Sequence, residues 1–262
     1  MSDWIRVERL RAGLATVTLN RPERRNALSI AMMEALIGEL EKLAAQREVR
    51  VVILRGDGPV FCAGLDLAEA TQNELVRHSA HCVAKTLHTL RYSPLVSIAA
   101  VHGGAYAGGA GVVAACDMAV GAADAKIGFP EARRGLLPAL ISDVLKTKIR
   151  EGDLTELFLV GEPIDAERSR QIGLLQRVVA AERLLDEAVR MAEGILAGGP
   201  QTIIDTKSLI HHAYRWDYNP AEGQVVEESH SIDEHLKARF SAEATEGLRA
   251  FLEKRAPSWM QT

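Results

Sequence analysis

Three short stretches hold the residue types most able to do chemistry. VHGGAYAGGAG, residues 101–111, places five glycines between Gly103 and Gly111. Glycine is the costliest residue to order, so such a cluster between two apolar runs marks a place where backbone comes close to something else. FCAGLDL, residues 61–67, is a second glycine-bearing loop and carries Cys62 and Asp66. IGFPEARRGLLP, residues 127–138, sets one carboxylate, Glu131, among Ile127, Phe129, Leu136 and Leu137. Apolar surroundings raise a carboxyl pKa toward a value at which the group can both take and return a proton.

Other chemistries compete for these residues. Gly109, Gly111 and Ala114 satisfy GxGxxA, and Glu131 lies 20 residues beyond Gly111, where the ribose-binding acid of an NAD-dependent dehydrogenase would stand. Against that reading, seven residues separate Val101, which ends the preceding apolar run, from Gly109, whereas the fingerprint's first glycine follows its strand at once. No Gly-Lys-Ser/Thr follows, which excludes a Walker-type phosphate loop. The glycines could also serve only the close packing of a helix on a strand. An isolated Pro-Glu such as Pro130-Glu131 is commonly a solvated turn or cap. There is no GxSxG elbow, which disfavours serine hydrolysis. His102, at a strand end, reads as a packing or hydrogen-bonding residue, and Cys62 and Cys116 as small apolar packers.

The elements that must position these stretches read as an α/β core. LATVTLNRP alternates apolar and hydroxyl residues and stops at Pro22, a strand followed by a loop. RVVILRG and LVSIAAVHG are short β-branched runs ended by glycine, the pattern of buried parallel strands. Ser29 predicts the cap of a helix whose core face holds Met33, Leu36, Ile37, Leu40 and Leu43, and a second helix gathers Ala80, Val83, Leu87 and Leu90. Strand, helix, strand, helix argues for right-handed crossovers. Past about residue 181 the strands stop, and a helical stripe from Leu184 to Leu196 leads into further helices.

The totals narrow the class. A chain of 262 residues, 47% hydrophobic and 25% charged, can bury one domain, or one domain with an appendage. A net charge of −4, with scattered Lys and Arg, leaves no footprint for nucleic acid or an anionic membrane. Cys62, Cys82 and Cys116 are odd in number and show no CxxC or Cys/His ligand spacing, so neither a disulfide framework nor a zinc site is expected. With an N-terminus, MSDWIRVERLRAG, that lacks an apolar signal stretch, this points to a reducing cytoplasm. Residues 93–116 carry no charge, yet their Ala and Gly content, with His102 near the centre, is wrong for a membrane-spanning helix.

Taken together, LNRPERRNALS, the FxAGxDL loop, the VHGGAYAGGAG…CD segment, the GFPE turn and EGLRAFLEKR resemble, in order and approximate spacing, the crotonase superfamily of enoyl-CoA hydratases and isomerases. The resemblance covers nearly the whole chain. It implies a crotonase-like ββα spiral core over residues 1–200 that binds acyl-CoA, and a helical C-terminal region, 201–262, that trimerises and covers the CoA. It implies that the backbone N–H groups of Leu65 and Gly108 hold a thioester oxygen as enolate charge develops, and that Glu131 moves the proton. One such donor is worth about 3 kcal/mol in a dry site. Substrate and CoA contacts carried over from the family fall on Arg25 with its neighbour Arg24, Ala27, Ala63, Gly64, Asp66, Leu67, Gly109 and Pro130. Phe251 and Lys254 would reach CoA from a neighbouring subunit, with Arg255 beside them, and Asp66 would also tie down its own loop. No metal or other cofactor is expected, because CoA arrives as part of the substrate.

One position departs from the family. Hydratases of the best-known type carry a second Glu where this chain has Gly111. The resemblance is therefore to single-acid hydratases, supported by GLLPALIS, with Leu137, Ala139 and Leu140 as an apolar lining and a second water near the space left at Gly111. A Δ3,Δ2-enoyl-CoA isomerase, which also works with one carboxylate, is the alternative reaction. A catalytically silent CoA-ester-binding protein is the alternative of another class. A homotrimer or a pair of trimers is the expected assembly.

Overall fold

The computed structural model describes residues 4–211, 218–219, 224–225 and 230–260. The chain divides into two compact units, Met1–Ala192 and Glu193–Thr262. In chain order the strands of the first unit are β1 (Ile5–Arg11), β2 (Gly13–Leu19), β3 (Val49–Gly56), β4 (Val96–Val101), β5 (Gly104–Tyr106), β6 (Met118–Ala122), β7 (Lys126–Gly128), β8 (Ile164–Asp165) and β9 (Arg177–Val179). They form a main sheet in the order β1-β2-β3-β4-β6-β9, parallel from β2 onward, and a short sheet in the order β5-β7-β8. Every residue of β4 is buried, which explains its unbroken apolar run: a central parallel strand meets core on both faces.

Helices cover the sheets. In chain order they are α1 (Ile30–Gln46), α2 (Leu67–Ala70), α3 (Asn73–Tyr92), α4 (Gly108–Ala115), α5 (Ala139–Leu145), α6 (Glu151–Val160) and α7 (Ala166–Gln171), then α8 (Leu184–Leu196). Ser29 caps α1 by accepting from the Met32 amide, and the expected face from Met33 to Leu43 is buried, as are Val83, Leu87 and Leu90 of α3. All eight residues of α4 are buried, so this helix has no solvent face and its small residues serve close packing. The mixed α/β architecture expected from the sequence is the one found.

Two strand features differ from that expectation. β1 is an additional edge strand whose antiparallel partner is β2. Its charged residues, in IRVERLR, blunt an exposed edge and hide the alternation that marks a strand. Beyond residue 181 a pair of two-residue strands, Tyr218–Asn219 and Gln224–Val225, lies in the second unit among its helices α9 (Pro200–His211), α10 (His230–Arg239) and α11 (Ala242–Leu252). No helix among the described residues is long and apolar enough to cross a membrane.

Candidate active site

The three chemistry-bearing stretches leave the core side by side. Cys62 bridges Ala105 in parallel, and Ala105 in turn pairs with Ile127 in the parallel ladder of β5 and β7. Chains running the same way finish at the same end, so Leu65, Gly108 and Glu131, three to four residues further along each, arrive together. A fourth segment locks the first in place: the Leu28 amide donates to Gly64 O at 2.8 Å and the Asp66 amide to Leu28 O at 3.1 Å.

Local backbone geometry then aims two amides. Gly64 has φ +97°, and a Cβ there would lie 2.8 Å from Tyr106 O, so only glycine fits. Ala107 holds φ 50°, uncommon for a residue with a side chain, and its amide donates to Gly128 O at 2.9 Å. That kink starts α4 at Gly108. Among the described residues, neither the Leu65 nor the Gly108 amide donates a hydrogen bond, and both residues line one cavity. They are close, since a Cβ built on Gly108 would stand 3.9 Å from Leu65 N.

Glu131 shares that cavity, which measures about 530 Å³. A tight turn holds it, with Glu131 O accepting from the amides of Arg134 at 2.9 Å and Leu136 at 3.0 Å. The residue is buried, and its Oε2 has no hydrogen-bond partner. Burial pushes its pKa above the ordinary 4.5, outweighing its own amide and the positive charge of Arg134. The apolar wall is Leu136, Leu137, Leu140, Ile141 and Val83. Arg24, Ala27, Ala63, Asp66 and Leu67 line it from the loops. Asp66 is engaged, capping α2 at the Ala68 amide and pairing with Arg21 at 2.6 Å.

Other expected residues fall elsewhere. Gly109 is given to packing, since a Cβ there would meet Cys62 O at 2.5 Å. Arg25, Gly64, Gly109 and Pro130 are not among the lining residues, while Phe251 and Lys254 belong to the second unit. Arg255 is held by Glu246 in a two-pronged pair at 2.7 and 2.9 Å and by Glu253 at 2.7 Å, a structural use that the CoA reading did not foresee. Cys62 is fully buried, and burial pushes its thiol up to about 12, which removes it as a nucleophile. His102 bonds Gly58 O at 2.9 Å.

The largest correction concerns Gly111. The space expected there for a water is filled: a Cβ on Gly111 would lie 2.4 Å from Ile141 Cγ2. The same packing disposes of the dinucleotide reading, because the faces of Gly109 and Gly111 that a pyrophosphate would approach are covered by Cys62 and Ile141. Two supporting residues were missed from sequence. Arg21 anchors Asp66, and buried Asn26 ties its own loop to the one after β3: its Nδ2 donates to the carbonyls of Asp57, Val60 and Phe61, and its Oδ1 accepts from the Arg21 amide. The signal available in the sequence was its residue type, since Asn tolerates the left-handed backbone it adopts at φ 53°.

Comparison with known proteins gives the family. The family model described as enoyl-CoA hydratase/isomerase matches residues 9–262. The chain belongs to the enoyl-CoA hydratase/isomerase family. It is 34% identical to enoyl-CoA hydratase EchA19 of Mycobacterium tuberculosis, over 93% of this chain and 91% of that one. It is 33% identical to mevalonyl-coenzyme A hydratase sidH of Aspergillus fumigatus, over 93% and 90%. The crystal structure of an enoyl-CoA hydratase from Mycobacterium smegmatis superposes with a TM-score of 0.88 at 31% identity, covering 99% of this chain and all of that one. The family's crotonase-type α/β fold and its acyl-CoA chemistry thus apply to this chain.

Proposed function

We propose that the protein hydrates a 2-enoyl-CoA thioester with Glu131 as its single acid and base. The observation that carries this is one cavity holding two undonated amides, Leu65 and Gly108, opposite a buried carboxylate oxygen that has no partner. Glu131 takes a proton from water as the water oxygen bonds to C3. The electron pair of the double bond moves toward the thioester oxygen, where the two amides and the N-terminus of α4 stabilise the negative charge. The Glu131 carboxylic acid then returns the proton to C2, so one carboxylate serves both halves. The raised pKa suits that double duty. Ile141 closes the second acid's position, which leaves the water to Glu131.

Arg24 and Arg25 at the loop after β2, with Ala27, Ala63 and Leu67, are proposed to receive the CoA portion, and Leu136, Leu137 and Leu140 the acyl chain. Exposed Phe240, Leu248, Phe251 and Leu252 in the second unit support assembly into a trimer or a pair of trimers. In that assembly Phe251 and Lys254 would reach a neighbour's CoA. A cytoplasmic location and a need for no further cofactor complete the reading. Isomerisation needs only one carboxylate, but the relatives' hydratase names favour hydration.

The test is to incubate the protein with 2-enoyl-CoA and 3-enoyl-CoA esters of several lengths in heavy-oxygen water and weigh the products. Heavy oxygen in a 3-hydroxyacyl product, lost in Glu131→Gln, supports hydration. Interconversion of enoyl esters without oxygen uptake makes it an isomerase, and no turnover of any ester makes it a binding protein.

A further inference from the structure

Away from the cavity, α1 and α3 bring together three groups that the reaction does not use. His78 and Cys82 sit four residues apart on α3 and so share a face, and Glu34 approaches from α1. His78 Nε2 lies 3.0 Å from Glu34 Oε1 and 3.6 Å from Cys82 Sγ, and all three atoms fall within 4.8 Å of one another. None of the three residues lines the catalytic cavity. Read in sequence alone, the cysteines offered no ligand spacing, because the third member is 44 residues from His78 and on another helix.

A surface ion pair accounts for Glu34 and His78 but not for the thiol. An imidazole nitrogen carries one proton or one lone pair, so Nε2 can satisfy either the carboxylate or the sulfur, and both converge on it. A cation at the centre satisfies all three. With zinc bonds of about 2.3 Å to sulfur and about 2.0 Å to nitrogen and oxygen, tetrahedral edges are about 3.5 Å for S to N or O and about 3.3 Å for N to O. The separations of 3.6 and 3.0 Å are close to both, and the third, from Cys82 Sγ to the Glu34 carboxylate, lies within 4.8 Å, so that Glu34, on the exposed side, closes in by a side-chain turn. Half-exposed Glu34 and His78 give an entry path, while Cys82 is buried beneath them. Glu69, whose Oε2 accepts from the Ile30 amide at 2.8 Å, is not one of the clustered donors. The fourth position is left to water.

We propose that Glu34, His78 and Cys82 form a zinc site that bolts α1 to α3. The mixed S, N and O donors select zinc over calcium or magnesium, which take oxygen ligands. Binding displaces the thiol proton to solvent and leaves a thiolate on the metal. The site joins two helices and stands one residue before Val83 of the cavity wall.

The experiment titrates the purified, chelator-treated protein with zinc chloride by calorimetry, and with cobalt chloride by absorbance, in excess magnesium. One zinc per chain and a thiolate-to-cobalt charge-transfer band are expected. His78→Ala and Cys82→Ser should each weaken zinc at least about 100-fold, because even outer-shell partners of a metal are worth about 10- to 100-fold. Glu34→Gln, the mildest change, should weaken it at least about 10-fold. Each variant is checked for unchanged melting in chelator, so lost binding is not lost folding. Absence of zinc binding, absence of the thiolate band, or unchanged affinity in Glu34→Gln and His78→Ala overturns the proposal.

Discussion

Ile141 stands where residue 111 would place a side chain: a Cβ on Gly111 would meet Ile141 Cγ2 at 2.4 Å and Ile141 Cβ at 3.1 Å. The loss of a second acid is therefore packed over and not merely vacant. Gly111→Ala is expected to cost about 1–3 kcal/mol of stability by overpacking, and Gly111→Glu more, because it also buries a charge. Neither should gain turnover. The double variant Gly111→Glu/Ile141→Ala, which clears the methyl groups, should recover part of the melting temperature lost by Gly111→Glu. A stable, faster Gly111→Glu single variant would show that Ile141 yields easily.

Glu131→Gln separates catalysis from stability. Turnover should fall about 10²- to 10⁴-fold with loss of the proton shuttle. Stability at neutral pH should rise, because a buried carboxylate without a partner is replaced by a neutral group. The sign follows from linkage: the folded pKa is raised above 4.5, so the protonated form is favoured by folding, and that contribution is lost as pH climbs through the folded value. The melting temperatures of variant and parent should thus converge below about pH 4 and separate toward pH 7. The acid limb of the parent's pH–rate profile should also sit above 4.5. An equal melting difference at every pH would assign the effect to packing instead.

The two amides can be tested without removing a backbone atom. Gly108→Ala has room, with Leu28 Cδ1 at 3.4 Å, but its methyl group would sit 3.9 Å from Leu65 N, in the space the thioester oxygen needs. It should keep its melting temperature and lose about 10²- to 10³-fold in kcat, the scale of one oxyanion donor. Gly64→Ala, at φ +97° and 2.8 Å from Tyr106 O, should lose both stability and turnover. Leu65→Ala should retain most of its activity, since the amide and not the side chain is used. Inactive Leu65→Ala with native melting would move the role to the leucyl group.

These contrasts show what was legible in the sequence. The glycines, the apolar runs and the Pro-Glu turn marked the three loops, because local backbone demands leave local signatures, whereas the roles of Leu65, Gly108 and Glu131 within them came from the resemblance to the family. Ile141 against Gly111, Arg21 against Asp66 and Asn26 under the loop after β3 were not legible, because each joins residues distant in sequence by a contact that no spacing records. The same holds for Glu34 and His78. β1 was hidden by its charged edge, and Gly109, carried over from the family as a substrate contact, packs against Cys62, a use of glycine that the sequence does not distinguish from close approach of a ligand.

The Arg21–Asp66 pair links the loop after β2 to the loop that carries the Leu65 amide, and both side chains are largely buried at 14% and 12% exposure. Asp66 works twice, accepting from Arg21 Nη1 at 2.6 Å on one oxygen and from the Ala68 amide at 3.0 Å on the other. Burial alone would raise its pKa, but the Arg21 hydrogen bond, the Ala68 amide and the charge of Arg21 together hold it below 3.8. Asp66→Asn keeps the shape and removes the charge, at an expected cost of about 1–3 kcal/mol, because Arg21 keeps its charge in a largely buried place. A depressed carboxylate contributes stability that is present above the unfolded value and lost as pH falls through the folded one. The melting gap between parent and Asp66→Asn should therefore hold from neutral pH down to about 4 and close below it. Turnover should fall about 10-fold or more, because small misplacement of an aimed donor is costly in the transition state. If Asp66→Asn melts and turns over like the parent at pH 7, the pair is as idle as an exposed ion pair, and Leu65 is aimed by the Leu28 ladder alone.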